Sequence, residues 1–186
     1  NGTATVYEIK SERDSLARLT NQLVNYQKVF ASVNVIASES HVDDVLAIVP
    51  HHIGVLRLTR RYTIEIMRDA VITPQRTCSA TIFESVRAAE ACEMLKILGV
   101  DVPELPNTRR HAAMRSLFSG LPSQDVHAAM VKTLKRTRNL APLSELIDRL
   151  PHSLHAAALS IQVRRDDHKR LVEAVSTPLE EAMAWV

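Results

Sequence analysis

Glu8 and Lys10 stand two residues apart in the run TVYEIK. Residues two apart in a strand share a face, so both side chains project together from the strand's C-terminal end. A carboxylate there can bind a divalent metal. An ammonium beside it can orient or help deprotonate the attacking water, or stabilise the charge that grows on a phosphate. The pairing suits hydrolysis of a phosphodiester, and lysine's compact point charge suits that task. Alone, a Glu-x-Lys tripeptide also describes an exposed strand with a salt bridge, so the surrounding elements decide its meaning.

Those elements are legible. Residues 3–10 alternate, with Ala4, Val6 and Glu8 on one face and Thr5, Tyr7 and Ile9 on the other. Asn1-Gly2 before them is a strong hairpin signal, and a partner strand is expected just upstream of Asn1 in a longer polypeptide. Ser11 reads as a helix N-cap with Asp14 three residues on, and predicts a helix over 12–30. Leu16, Leu19, Leu23 and Phe30 make its apolar stripe. Beside it, Asp14, Arg18, Gln22 and Tyr26 repeat at i+4, a polar row able to bond within itself or to something in a cleft. A buried strand over 33–37, a helix over 42–49 and β-rich runs at 53–58 and 62–67 follow, the last two separated by Arg60-Arg61. This order fits an α/β unit around a central sheet.

Together the strand-borne EIK, the hairpin signal and the Gln-x-x-x-Tyr helix resemble the PD-(D/E)XK nuclease superfamily. The match is closest to an uncharacterised bacterial group with EIK followed by Asp, Arg-Leu, Gln and Tyr along one helix. Residues 8–30 read EIKSERDSLARLTNQLVNYQKVF and supply each position. The resemblance covers roughly residues 1–70. It implies a restriction-endonuclease-like mixed sheet flanked by helices, and a site for Mg2+ or Mn2+.

In that site Glu8 would be a metal ligand, the backbone carbonyl of Ile9 would complete the shell, and Lys10 would be the catalytic lysine. Gln22 and Tyr26 would line the cleft and hold the lysine or the nucleic-acid backbone. Asp14 and Arg18 would form an i,i+4 ion pair that fixes the helix. The superfamily's first acidic residue belongs on the preceding strand, and residues 1–7 (NGTATVY) hold no acid. It is therefore expected upstream of Asn1. One carboxylate by itself makes a poor magnesium site.

After Pro74 the texture changes to helical periodicity punctuated by prolines. Helices are predicted over 79–98, 108–118, 123–138, 143–150, 152–163 and 166–175. The expected organisation is thus an α/β core over 1–74, truncated at its N-terminus, and an all-helical C-terminal subdomain over 75–186. With 4 glycines in 186 residues, no phosphate-binding glycine loop is present. His152 and His155 are i,i+3 without a nearby acid and read as surface or capping residues. Cys78 and Cys92 form no CxxC pair and read as reduced thiols of a cytoplasmic protein.

Lys and Arg (23) nearly balance Asp and Glu (21), so any basic surface must come from local clustering. Between residues 108 and 139 lie Arg109, Arg110, Arg115, Lys132, Lys135, Arg136 and Arg138 against one acid, Asp125. Arg57, Arg60 and Arg61 make a second group. Such clusters suit phosphate backbones, and equally a solvated helix face or an acidic partner; no run of aromatics marks a stacking platform.

The expected activity is metal-dependent hydrolysis of nucleic acid, DNA ahead of RNA, in a bacterial or phage setting. The alternative is a catalytically inactive nuclease-like fold acting as a nucleic-acid- or protein-binding module. A protein partner or homodimer through the helical half remains open, and no apolar run reaches membrane-span length.

Overall fold

In the computed structural model, which describes residues 2–102, 104–138, 141–161 and 163–177, the alternating run forms β1 (Thr5–Lys10). It is joined by β2 (Ser32–Ser38), β3 (Gly54–Leu58) and β4 (Ile64–Arg68) in a sheet of order β1-β2-β3-β4. β1, β2 and β3 run parallel, and β4 returns antiparallel to β3. The fold is therefore mixed α/β, with β1 at one edge of the sheet among the described residues. The Asn1-Gly2 turn falls partly outside them, since Asn1 is not described.

Two helices connect the parallel strands, α1 (Leu19–Gln27) and α2 (Val42–Ile48). Leu19 and Leu23 of α1 and Val42 and Val45 of α2 pack on Val33, Val35 and Ala37 of β2, with Ile53 and Val55 beside them. The apolar alternation of β2 thus seats both helices on one face of the sheet. Arg68 holds the end of α2 and the loop after it: its Nη2 donates to the Val49 carbonyl at 3.4 Å and the Pro50 carbonyl at 3.2 Å, and its Nε to the Ile53 carbonyl at 2.9 Å. A cation at a helix C-terminus also complements the helix dipole.

The first helix differs from expectation. It begins at Leu19, not near Glu12, because residues 12–18 offer only Leu16 to bury and the rest are exposed. An undocked turn of helix is marginal in water. Ser11 and Asp14 close a turn of their own instead. The Ser11 N–H and hydroxyl both donate to Asp14 Oδ2 at 2.7 Å, and the Asp14 N–H donates to the Ser11 carbonyl at 3.1 Å. The expected Asp14–Arg18 ion pair is not formed.

The long helix expected over 79–98 is two, α3 (Ser79–Ser85) and α4 (Ala88–Ile97). Val86 and Arg87 are extended, and Glu90 restarts the helix by accepting the Arg87 N–H at 2.8 Å. This is a capping box, which starts a new helix inside the expected one. α5 (Asn107–Ser119) and α6 (Ser123–Thr137) follow. Together α3–α6 bury a second core around Phe83, Met94, Leu95, Phe118 and Met130.

The chain divides into two compact units, Asn1–Thr137 and Arg138–Val186. The change of texture after Pro74 marks the end of the sheet, and α3–α6 belong to the sheet's unit. The second unit carries α7 (Ala141–Asp148), α8 (His155–Ser160) and α9 (His168–Ser176) around Leu146, Leu150 and Ala158. His155 Nε2 lies 3.0 Å from the Leu150 carbonyl, and its ring meets that of His152. No helix among the described residues is long and apolar enough to cross a membrane.

Candidate active site

Period two in β1 turns Val6, Glu8 and Lys10 toward the helices and Tyr7 and Ile9 to the opposite, exposed face. On α1, Leu19 and Leu23 are anchored in the core, which sets the helix rotation. Gln22 and Tyr26, one turn apart, then lie over the end of β1. The four polar side chains meet there in a closed network. Lys10 Nζ lies 3.0 Å from Glu8 Oε1 and donates to Gln22 Oε1 at 2.9 Å. Gln22 Nε2 donates to Glu8 Oε1 at 2.9 Å, and the Tyr26 hydroxyl donates to Glu8 Oε2 at 2.7 Å.

The network is withdrawn from water: the Glu8 and Lys10 side chains are 13% and 8% exposed. Low local dielectric strengthens each bond and makes an unpaired group costly. The Tyr26 phenol is held above its ordinary pKa, first by its hydrogen bond to Glu8, then by burial and by the Glu8 charge. Tyr26 is therefore a fixed donor at neutral pH. Both oxygens of Glu8 are engaged, and among the described residues no second carboxylate joins the network. Nor do the described residues hold any group of three or more His, Cys, Asp or Glu side chains able to bind a metal. Ile9 contributes only backbone to this face.

The parallel strands end together, since Lys10 pairs with Ala37 and Ser38 with Leu58. The network therefore opens on the C-terminal edge of the sheet, the edge where open α/β sheets take their ligands. Asp14 stands at the same edge, held below the usual carboxylate range by its bonds to Ser11, with smaller contributions from the charges of Lys10 and His41. His41 was missed in the sequence. Its Nε2 is buried with no hydrogen-bond partner among the described residues, and its only sequence signal is its place between a strand and a helix.

A family model described as bacteriophage P4 protein cII matches residues 1–171. The chain belongs to that family. No curated protein and no solved structure matches it. The family match spans the network at the end of β1, the whole of the sheet and helices α1–α9 up to Leu171.

In this P4 cII family member the basic residues do not form one patch. Arg115 pairs with Glu84 at 2.7 Å and Arg136 with Glu93 at 2.6 Å. Arg110 lines a groove with Phe83, Cys92 and His111, and its Nη2 donates to Cys92 Sγ at 3.4 Å. Lys132 and Lys135 line a different groove with Ile97 and Leu98. Arg109 is exposed on α5. Arg57 is taken by Glu65 across the β3–β4 pair, leaving Arg60 and Arg61 at the hairpin tip.

Proposed function

We propose that the Glu8–Lys10–Gln22–Tyr26 corner hydrolyses a phosphodiester of nucleic acid, DNA ahead of RNA, with Mg2+ or Mn2+, as a PD-(D/E)XK-type site. The observation that carries the reading is the network itself. Its four members come from two elements, and they are the residues that the resemblance marks as catalytic. Glu8 and the Ile9 carbonyl are hard oxygen donors of the type these ions take, and Mg2+ is commonly held through one or two carboxylates with water and substrate phosphate filling the rest. When bound, the ion would supply Lewis-acid stabilisation of a phosphoryl oxygen and a water of lowered pKa.

The chain's own groups have separate tasks. Lys10 brings a desolvated ammonium to the site, where it can stabilise negative charge on the phosphate or orient water. Gln22 holds that ammonium with its carbonyl and Glu8 with its amide. Tyr26 fixes the second oxygen of Glu8, which sets the carboxylate plane. The test is manganese-dependent cleavage of plasmid and linear DNA by the native polypeptide, beside Glu8→Ala and Lys10→Ala. The expected result is cleavage by the wild type, lost in both variants. Cleavage unchanged in both would overturn the mechanism.

A second reading is a catalytically inactive fold of the same kind that binds nucleic acid or protein. The engagement of both Glu8 oxygens by protein donors favours it. DNA binding without cleavage by the native polypeptide would select it.

A further inference from the structure

The β3–β4 hairpin turns through Arg60, Arg61 and Tyr62, and it is tightly closed. The Thr59 N–H donates to the Thr63 carbonyl at 2.9 Å, and the Tyr62 N–H to the Thr59 carbonyl at 2.9 Å. The two threonine hydroxyls lie 2.7 Å apart, and the Thr63 N–H donates to Thr59 Oγ1 at 3.2 Å. In three-residue hairpin loops the last residue takes a left-handed conformation, a position made for glycine. Here it is Tyr62, at φ 59°. For a bulky side chain that is a strained backbone. Tyr62 is 89% exposed, so packing does not offset the strain.

A residue that costs the fold at two levels, backbone and hydration, points to a task outside the fold. Its neighbours suggest which. The Arg60 side chain is 93% exposed, with Nε 3.3 Å from Glu39 Oε2. Arg61 is exposed and makes no ion pair among the described residues. The tip thus presents a flat aromatic ring beside one uncompensated guanidinium and one loosely countered. It also stands beyond the edge where the Glu8–Lys10 network opens: β3 runs parallel to β1, Arg57 is level with Lys10 through Ala37, and the tip follows three residues later.

We propose that this tip grips a single-stranded or frayed segment of the nucleic acid that lies at the Glu8–Lys10 corner, Arg61 on a phosphate and Tyr62 stacked on a base. The inference rests on the nucleic-acid reading of that corner, and adds where and in what form the strand is held. Aromatic stacking tolerates any base and requires one that is unpaired. Guanidinium groups match phosphate geometry. A membrane-seeking tip would want a broader apolar surface than one ring.

The test is fluorescence anisotropy with a labelled oligothymidylate and a duplex of equal length, in EDTA so that no strand is cut, across a salt series. Tyr62→Gly is expected to weaken single-strand binding roughly tenfold while melting at the same or a higher temperature, because glycine accepts the left-handed backbone. Tyr62→Phe should bind as the wild type. Arg61→Ala should weaken binding and lower the slope of log K against log salt by about 1. Unchanged affinity in Tyr62→Gly would overturn the proposal, as would equal loss in Tyr62→Phe, absence of single-strand binding by the wild type, or Tyr62-dependent binding to phosphatidylserine vesicles instead. Tip-dependent binding without manganese-dependent cleavage would remove the nuclease reading and keep this one. Cleavage with a Tyr62→Gly affinity equal to wild type would do the reverse.

Discussion

Gln22 touches both charges of the β1 pair: its amide nitrogen donates to Glu8 Oε1 and its carbonyl oxygen accepts from Lys10 Nζ, each at 2.9 Å. One neutral side chain thereby fixes the spacing of an anion and a cation that are themselves 3.0 Å apart. Replacing it with leucine keeps the ion pair and removes both clamps. Hydrogen bonds to charged groups contribute about 1.5–3 kcal/mol each, and Gln22→Leu, which removes two of them, should lose at least about 3 kcal/mol in urea unfolding. Gln22→Glu replaces the amide donor to Glu8 with a second carboxylate, and should destabilise as well.

The Tyr26 phenol reports on its acceptor. Held above its ordinary pKa by Glu8, it should give a late phase in ultraviolet absorption at alkaline pH. Glu8→Gln removes the charge and the anionic acceptor, and should move that late phase down toward the usual value of about 10. A late phase that survives Glu8→Gln would mean that burial alone governs it.

Gly54 of β3 pairs with Asn34 of β2. A β-carbon there would stand 2.0 Å from Asn34 Oδ1 and 3.0 Å from both the Ala70 β-carbon and its backbone nitrogen. Asn34 is buried and Ala70 nitrogen is main chain, so the clash is not easily relieved. Gly54→Ala should destabilise by about 1–3 kcal/mol, and Gly54→Ala with Asn34→Ala should recover part of that, measured by thermal melting.

His127 lies in α6 buried among apolar groups, with Nε2 unpartnered among the described residues, and burial holds its pKa below the ordinary value. The unfolded chain then binds the proton more readily than the folded one. Stability is complete above about pH 6.5, the unfolded value, and falls as the pH drops below it toward the depressed folded pKa, with a slope of up to about 1.4 kcal/mol per pH unit. His52, lowered by burial and then by Arg76 and Arg68, acts in the same direction. His127→Leu should flatten the acid limb of the stability curve, read by chemical denaturation between pH 7.5 and 5.

Much of the site was legible because it rests on short-range geometry. Period two alone places Glu8 and Lys10 on one face of β1, and one helical turn alone places Gln22 beside Tyr26. Strand boundaries at β2 and β3 follow from β-branched runs bounded by turns. Tyr62 misled, since its β propensity reads as strand, whereas its left-handed backbone puts it in the turn.

What the sequence determined by itself, then, was which side chains share a face, because the repeat of a strand or helix is a property of the backbone. What only the tertiary structure decided was which elements exist at their margins and which charges remain unpaired. Residues 12–18 are helical in pattern and lack a surface to dock on. The helix expected over 79–98 is cut by the Glu90 cap. A run of bases between 109 and 136 is divided among separate grooves and the partners Glu84 and Glu93. Each of these outcomes depends on groups brought close from distant positions, and a local pattern carries no record of them.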